Sequence, residues 1–560
     1  MHSDLSQGES PQNTRSIDRQ RRRLIGAISA AIAVPGCCCM RPFPAPRIGE
    51  IRADATEVGL LSPNIVNKTL TKSVYCVDVH AHFFNASDVT VKGYLAGPVA
   101  HSTGGIQGRL IKLLAPLADE LGAIAPQAKE EYDRLDRLAS DVRLKTSGQV
   151  DLHLESLIAN HRQGQSRKFY DLMSTPKGRP FVEEYNKAQR EARVKGLNFG
   201  NMEAFNELSL ANAMSSTEIP LGTLKAKSLR GDSQEYGDGV LAFVGYMLSD
   251  RWENLYTYRK AFSVHENAIG VDRVLGSLVD FDRWLECAPR SAHEDQMKLH
   301  ALMSKLSSGY MLPLISYNPW TDVADNGRSL SLVVKAVTEY GFVGAKVYPA
   351  NGFRPWGNTD AQGGAKLPSP KRINEALQVF WDKCIELNIP VMAHAGQSMG
   401  KDNAHDLLAG PDAWRDLVNE YGAHGKSPLV NLGHFGGDTG GPMNNWTSEM
   451  AKVMMLPHGD KVFGDLGYWS ELQCDVVKVD RCKKAADRLS NALNVKLNAG
   501  ERIADRVMFG SDWLMLSRQP DWPDYAAGLF TTVKGIAPDD VANIFGKNAV
   551  RCFGAKVDSV

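Results

Sequence analysis

The sequence has no excess charge of either sign: 64 Lys and Arg stand against 64 Asp and Glu over 560 residues, a formal net charge of zero. A strongly basic face of the kind that holds nucleic acid is therefore not expected. No C-x-x-C pair occurs among the 9 cysteines, and three of those are the consecutive Cys37, Cys38 and Cys39. That scarcity excludes a zinc knuckle and a dense disulfide framework, and leaves Cys76, Cys287, Cys384, Cys474, Cys482 and Cys552 as buried thiols, with room for one disulfide. Hydrophobic residues at 43% and charged residues at 23% fit an ordinary globular chain. Glycine is not scarce: 50 residues favour an architecture with many tight strand-to-helix turns.

Near the N-terminus, Arg21, Arg22 and Arg23 precede an uncharged apolar run from Leu24 to Val34. The run is too short to span a bilayer and has the proportions of an export signal. The paired arginines resemble a twin-arginine signal, and Val34-Pro35-Gly36-Cys37 resembles a lipobox with Cys37 as the lipidated residue. Residues 1–39 are accordingly read as a leader and 40–73, rich in proline and polar groups, as a linker. The expected location is outside the cytoplasm, periplasmic or tethered to a membrane only through that lipid anchor; a frayed cytoplasmic N-terminus is the alternative.

From Val74 onward, eight short apolar runs each end in a polar or metal-capable residue, at His82, Asp282, Asn318, Tyr348, His394, His434, Asp465 and Asp512. After the second, each interval holds enough chain for one strand and one helix. This pattern predicts an α/β fold, a (β/α)8 TIM-type barrel formed by 74–82 and 274–556, with its site at the carboxyl ends of the strands. Residues 83–273 break the pitch. Leu110, Leu114, Leu117 and Leu121, then Tyr132, Leu135, Leu138 and Val142, recur at helical spacing, so a large, mainly helical insertion follows strand one. Leaving from the catalytic end, it is placed to act as a lid; a surface or oligomerisation module is the alternative.

The segment Val77-Asp78-Val79-His80-Ala81-His82-Phe83 is the most informative, because residues two apart on a strand share a face. His80 and His82 can therefore reach one ion. An isolated H-x-H says little, but His394, His434 and Asp512 also end strands.

With these motifs, and with Ala413-Trp414-Arg415-Asp416-Leu417 and Ile544-Phe545-Gly546-Lys547-Asn548-Ala549, the chain resembles the metal-dependent amidohydrolase superfamily, in its amidohydrolase-related branch of hydrolases and non-oxidative decarboxylases. The resemblance covers strand one and about 275 to 553. By position it implies that His80, His82, His394 and Asp512 hold one divalent metal, zinc foremost, and that His434 and Asp512 are catalytic. His434 would serve as acid/base or as ligand to a second ion, and Lys346 lies where some members carry a carboxylated lysine between two metals. Imidazoles and a carboxylate suit zinc while leaving a coordination position for water.

The implied function is a metal-dependent hydrolase in which activated water attacks a C–N or C–O bond of a small amide, lactone or ester. The alternatives are a metal-dependent decarboxylase of an aromatic or unsaturated acid, and a non-catalytic exported binding lipoprotein. Lys346, Arg354, Asp465 and Trp513 are the candidate substrate contacts, with Phe83, Trp320 and Trp356 as further candidate pocket walls. A small molecule is the expected partner, and self-association is left open.

Overall fold

A computed structural model describes residues 61, 74–103, 105–141, 147–194, 205–207, 210–211, 237–262, 269–285, 288–359, 368–437, 445–473, 480–497, 500–519 and 522–554. The leader 1–39 and, apart from Leu61, the linker 40–73 lie outside them, as do Cys287, Cys474 and Val142. Among the described residues, no helix is long and apolar enough to cross a membrane.

Eight strands lie in one parallel sheet in sequence order: β1 Val77–Ala81, β2 Arg273–Ser277, β3 Met311–Tyr317, β4 Gly344–Val347, β5 Val391–Gly396, β6 Val430–Gly436, β7 Val462–Asp465 and β8 Val507–Met508. Apart from Arg273 every strand residue is buried, as expected of a parallel sheet covered on both faces. The sheet curls into a barrel. Val79 N donates to Phe509 O at 3.1 Å, Asp512 N to His80 O at 2.6 Å, and Ala81 bridges Trp513 in parallel, which joins β8 to β1. The expected TIM-type barrel is thus the observed fold.

Val77, Val79, Leu275, Leu312, Leu314, Met392, Phe463 and Met508 form one core cluster with Ala549, Cys552 and Phe553 of the last helix. The C-terminal motif earns its place here. Asn548 donates to Ala504 O and Val507 O, and a Cβ on Gly546 would lie 2.4 Å from Tyr75 O, so only glycine lets the helix approach the entry to β1. Cys76, Cys384 and Cys552 are buried thiols, whereas Cys482 is disulfide-bonded, which corrects the thiol reading at that position.

Between β1 and β2 the described chain is helical: α1 Gly105–Leu114, α2 Ala128–Asp141, α3 Ser147–Ser174, α4 Arg179–Val194, α5 Gly237–Leu248 and α6 Arg251–Ala261, with shorter turns from Val91 to Ser102 and from Ala115 to Ile124. The leucine periodicity reflects burial, since Leu110, Leu114, Leu117, Leu121 and Leu135 are all in the core. A buried ion triad fixes this region to the end of β1: the Arg251 guanidinium bonds both oxygens of Asp88 and, at 2.6 Å, Glu131, with all three side chains fully buried.

The first helical turns of the insertion lie against the loops that follow the strands. His101 Nε2 is 3.0 Å from Asp406, Ser102 Oγ accepts from Met399 N at 2.7 Å, and Thr103 Oγ1 accepts from Arg518 at 2.6 Å. Chain leaving β1 therefore crosses to the loops after β5 and β8.

Candidate metal centre

The five expected residues form one continuous set of contacts. His80 Nε2 lies 3.4 Å and His82 Nε2 3.5 Å from the same oxygen, Asp512 Oδ1. His434 Nε2 is 3.0 Å from His394 Nδ1. The His80 and His434 rings stand 4.7 Å apart between centroids, which links the two halves. One nitrogen each from His80 and His434 and one oxygen of Asp512 lie within 4.8 Å of one another, and all three residues are buried.

The backbone places these groups in specific ways. The β1–β2 register shifts between Asp78 and Ala81, and the β5–β6 register between His394 and Gly396, so irregularities fall at the histidine-bearing strand ends. Such bulges re-aim side chains. His434 and Asp512 have φ of 66° and 56°, a region that costs a non-glycine residue energy and that clusters at functional sites. Space for the His80 imidazole comes from neighbouring glycines. A Cβ on Gly467 would lie 2.6 Å from its Nδ1, one on Gly510 2.8 Å from its Cβ, and one on Gly433 3.0 Å from its Cε1.

Outer hydrogen bonds fix the rings. His80 Nδ1 is 3.0 Å from Asp465 Oδ1, His82 Nδ1 3.0 Å from Ser277 O, and His434 Nδ1 2.9 Å from Gly467 O. Each leaves its Nε2 for the centre, the arrangement that metal-bound histidines require. His394 is the reverse case: its Nε2 lies 2.8 Å from Ser398 O, its Nδ1 turns to His434, and its ring stacks on Tyr348 at 4.5 Å.

Burial, with Lys346 among the further causes, holds His80, His82 and His394 well below the ordinary imidazole value. Burial likewise lowers His434 to about 4. The rings are therefore neutral, with lone pairs available. Burial raises the Asp512 carboxyl strongly, against the opposing pull of Lys346 and Arg518. Three or four neutral nitrogens around a carboxylate that lacks sufficient compensating charge are a donor set suited to a divalent cation. The residues present fit the metal.

Lys346 joins this group: its Nζ is 3.5 Å from His80 Nε2 and 2.7 Å from Met392 Sδ, and burial lowers its pKa. Three other expected substrate contacts fall elsewhere. Asp465 is fully buried, accepting from Asn431 Nδ2, His434 N and Gly467 N besides facing His80, so its oxygens are already engaged by the protein. Arg354 is paired with Asp412 at 2.8 Å and Asp416 at 3.0 Å, its charge already met. Trp513 is wholly buried, its ring packed among Phe83, Tyr246, Tyr258 and Trp522. Trp320 packs on Trp284 and Trp356 on Tyr421. Asp78 is a strut, accepting from Tyr258 Oη at 2.6 Å and from the His80 and Ser511 amides at 3.0 Å.

Arg518 and Tyr94 went unnoticed in the sequence as site neighbours, and Tyr348 was noted only as the end of the fourth apolar run. The charge of Arg518 acts on Asp512 and on both tyrosine hydroxyls. Only the place of Arg518, six residues beyond Asp512, could have drawn attention to it.

Residues 318–555, which hold β4 to β8 with His394, His434 and Asp512, match the family model described as amidohydrolase. Over these residues the chain is similar to the amidohydrolase family. No curated protein matches it. Solved structures similar to it include a 2,6-dihydroxybenzoate decarboxylase complexed with 2,6-dihydroxybenzoate, at 18% identity over 59% of this chain and 95% of the other with a TM-score of 0.36. An uncharacterized TIM-barrel protein from Bordetella bronchiseptica gives 14%, 54%, 81% and 0.35, and an amidohydrolase from Burkholderia multivorans with bound zinc gives 12%, 50%, 83% and 0.33 in the same order.

Proposed function

We propose that the protein is a metal-dependent hydrolase that cleaves a C–N or C–O bond in a small amide, lactone or ester. The supporting observation is the convergence of His80, His434 and Asp512, with His82 on the same Asp512 oxygen and His394 on His434. His80, His82, His394 and Asp512 would hold the ion, with His434 beside them as proton carrier or additional ligand. A bound divalent ion would polarise the scissile carbonyl and acidify a water. Asp512, at the strand end, is placed to take a proton from the attacking water. His434 is neutral and fixed at Nδ1 by Gly467 O, so its Nε2 is set to accept a proton before it can deliver one. The segment from Val91 to Thr103, held to Met399, Asp406 and Arg518, would limit water at the barrel mouth and so act as a lid.

The test is turnover of an amide, lactone and ester panel by protein loaded with zinc or manganese. His434→Ala and Asp512→Ala should each lower kcat/KM by about 100-fold or more. Undiminished turnover in both variants would remove this mechanism. A second reading, decarboxylation of an unsaturated or aromatic acid, is favoured by Lys346, an ammonium 3.5 Å from His80 that suits a substrate carboxylate. Release of CO2 without consumption of water selects it. We further propose export through the twin-arginine route with Cys37 as lipid anchor; Cys37→Ser should then move the protein from the membrane fraction to the soluble one.

A further inference from the structure

A second group of metal-capable side chains lies in the helical insertion, on α3 and α6 rather than on the strand ends. His161 is on α3, Asp250 immediately precedes α6, and Glu253 is in the first turn of α6. One nitrogen of His161 and one oxygen from each acid lie within 4.8 Å of one another. His161 Nδ1 is 2.8 Å from Glu253 Oε1 and 4.0 Å from Asp250 Oδ2. Both acids are buried and His161 is partly exposed, which leaves the group open to an entering ion. Glu253 Oε2 and Gln165 Oε1 are buried here and have no hydrogen-bond partner among the described residues, although Glu253 is only 1% exposed. A buried carboxylate oxygen left unpaired is costly unless a cation meets it. The neighbouring cations do not meet it. Arg134 donates to Asp250 Oδ1 at 2.6 Å, and Arg162 donates to Thr257 Oγ1 at 2.8 Å. Burial raises the Glu253 carboxyl pKa against the opposing pull of His161 and Arg162. Asp250 Oδ2 also accepts from Trp252 Nε1 at 3.3 Å, which fixes that carboxylate in place.

We propose that His161, Asp250 and Glu253 bind a divalent transition-metal ion such as zinc, which fastens α3 to α6. One imidazole nitrogen and two carboxylates are donors that suit such an ion, with water completing its coordination. Gln165 supplies the outer contact that a ligating histidine needs. Without the ion, Gln165 Nε2 is 3.0 Å from His161 Nε2, and the imidazole proton lies on Nδ1 toward Glu253. With the ion on Nδ1, the proton resides on Nε2, and a half-turn of the amide brings the unpartnered Gln165 Oε1 round to accept it. The neighbouring Arg251 ties α6 to Asp88 and Glu131, so an ion at Asp250 and Glu253 extends that anchor to α3. With three protein ligands, one already shared with Arg134, this ion is held more weakly than one in the barrel and contributes the smaller part of any metal-dependent stability.

The experiment counts zinc per full chain by elemental mass spectrometry after equilibrium dialysis against a slight excess of the metal. The unaltered protein, Glu253→Gln, His80→Ala and the double variant are compared. Glu253→Gln should hold one zinc fewer than its parent, both in the otherwise unaltered chain and in His80→Ala. Because the two sites are altered separately, an unchanged count in His80→Ala would sink the barrel reading alone, and an unchanged count in folded Glu253→Gln overturns this proposal. Gln165→Leu, made in the His80→Ala background, should weaken the remaining zinc by about tenfold in competition with a chromophoric chelator. Should Glu253→Gln fail to fold, His161→Asn takes its place, and a zinc count equal to that of its parent overturns the proposal.

Discussion

At the scale of single residues, the histidine cluster is framed by side chains that lie behind it. Asp465 receives hydrogen bonds from β6 and from the loop after β7 while facing His80, so one carboxylate sets four backbone and side-chain positions at once. Asp465→Asn should weaken metal affinity by about 10- to 100-fold while the barrel stays folded, measurable by competition with a chromophoric chelator. Gly467→Ala should act in the same direction, since its Cβ would press on His80 Nδ1 at 2.6 Å. A different residue reports on pH. Burial opposes the charge of His293, but Asp280 and Asp282 outweigh it and raise its pKa to about 9. The folded state thus holds a proton that the unfolded chain releases near pH ~6.5. This contribution is complete below that pH and is lost as pH rises through about 9. The denaturation midpoint should fall across this window, and His293→Gln should flatten the fall.

At the scale of elements, the insertion is joined to the barrel through buried charge as well as apolar packing. Arg251 at the start of α6 ties Asp88, just beyond β1, to Glu131 in α2. Arg251→Met would strand two buried carboxylates and should cost about 3–5 kcal/mol, read from urea denaturation. Replacing all three residues by apolar ones should cost much less. The α1 to α6 region was legible as helical because Leu110, Leu114 and Leu135 repeat with the helical period. Its attachment was not, because Thr103, Ser102 and His101 look like ordinary loop residues until Arg518, Met399 and Asp406 are brought beside them. Strand ends were read well for a related reason. In a parallel barrel each buried run stops where the chain meets the site, so His82, His394, His434 and Asp512 appear as polar breaks in apolar sequence.

At the scale of the whole molecule, a bound ion stabilises whatever folded state gathers its ligands. Removing metal with a chelator should therefore lower the melting temperature, and restoring zinc or manganese should return it. In His80→Ala that response should largely vanish, as followed by scanning calorimetry.

Composition, apolar runs and the spacing of histidines were enough to specify a barrel and the strands whose ends carry the histidines, since alternation and burial are local and periodic along the chain. Which charges are spent was settled only by folding. Arg354 and Arg518 look alike in the primary structure, yet one meets Asp412 and Asp416 while the other meets only neutral oxygens. The same holds for Asp465 and Asp512, both acids at the end of a strand, one saturated by amides and the other turned toward three histidines. Charge compensation depends on neighbours that are distant in the chain, so local sequence carries no record of it.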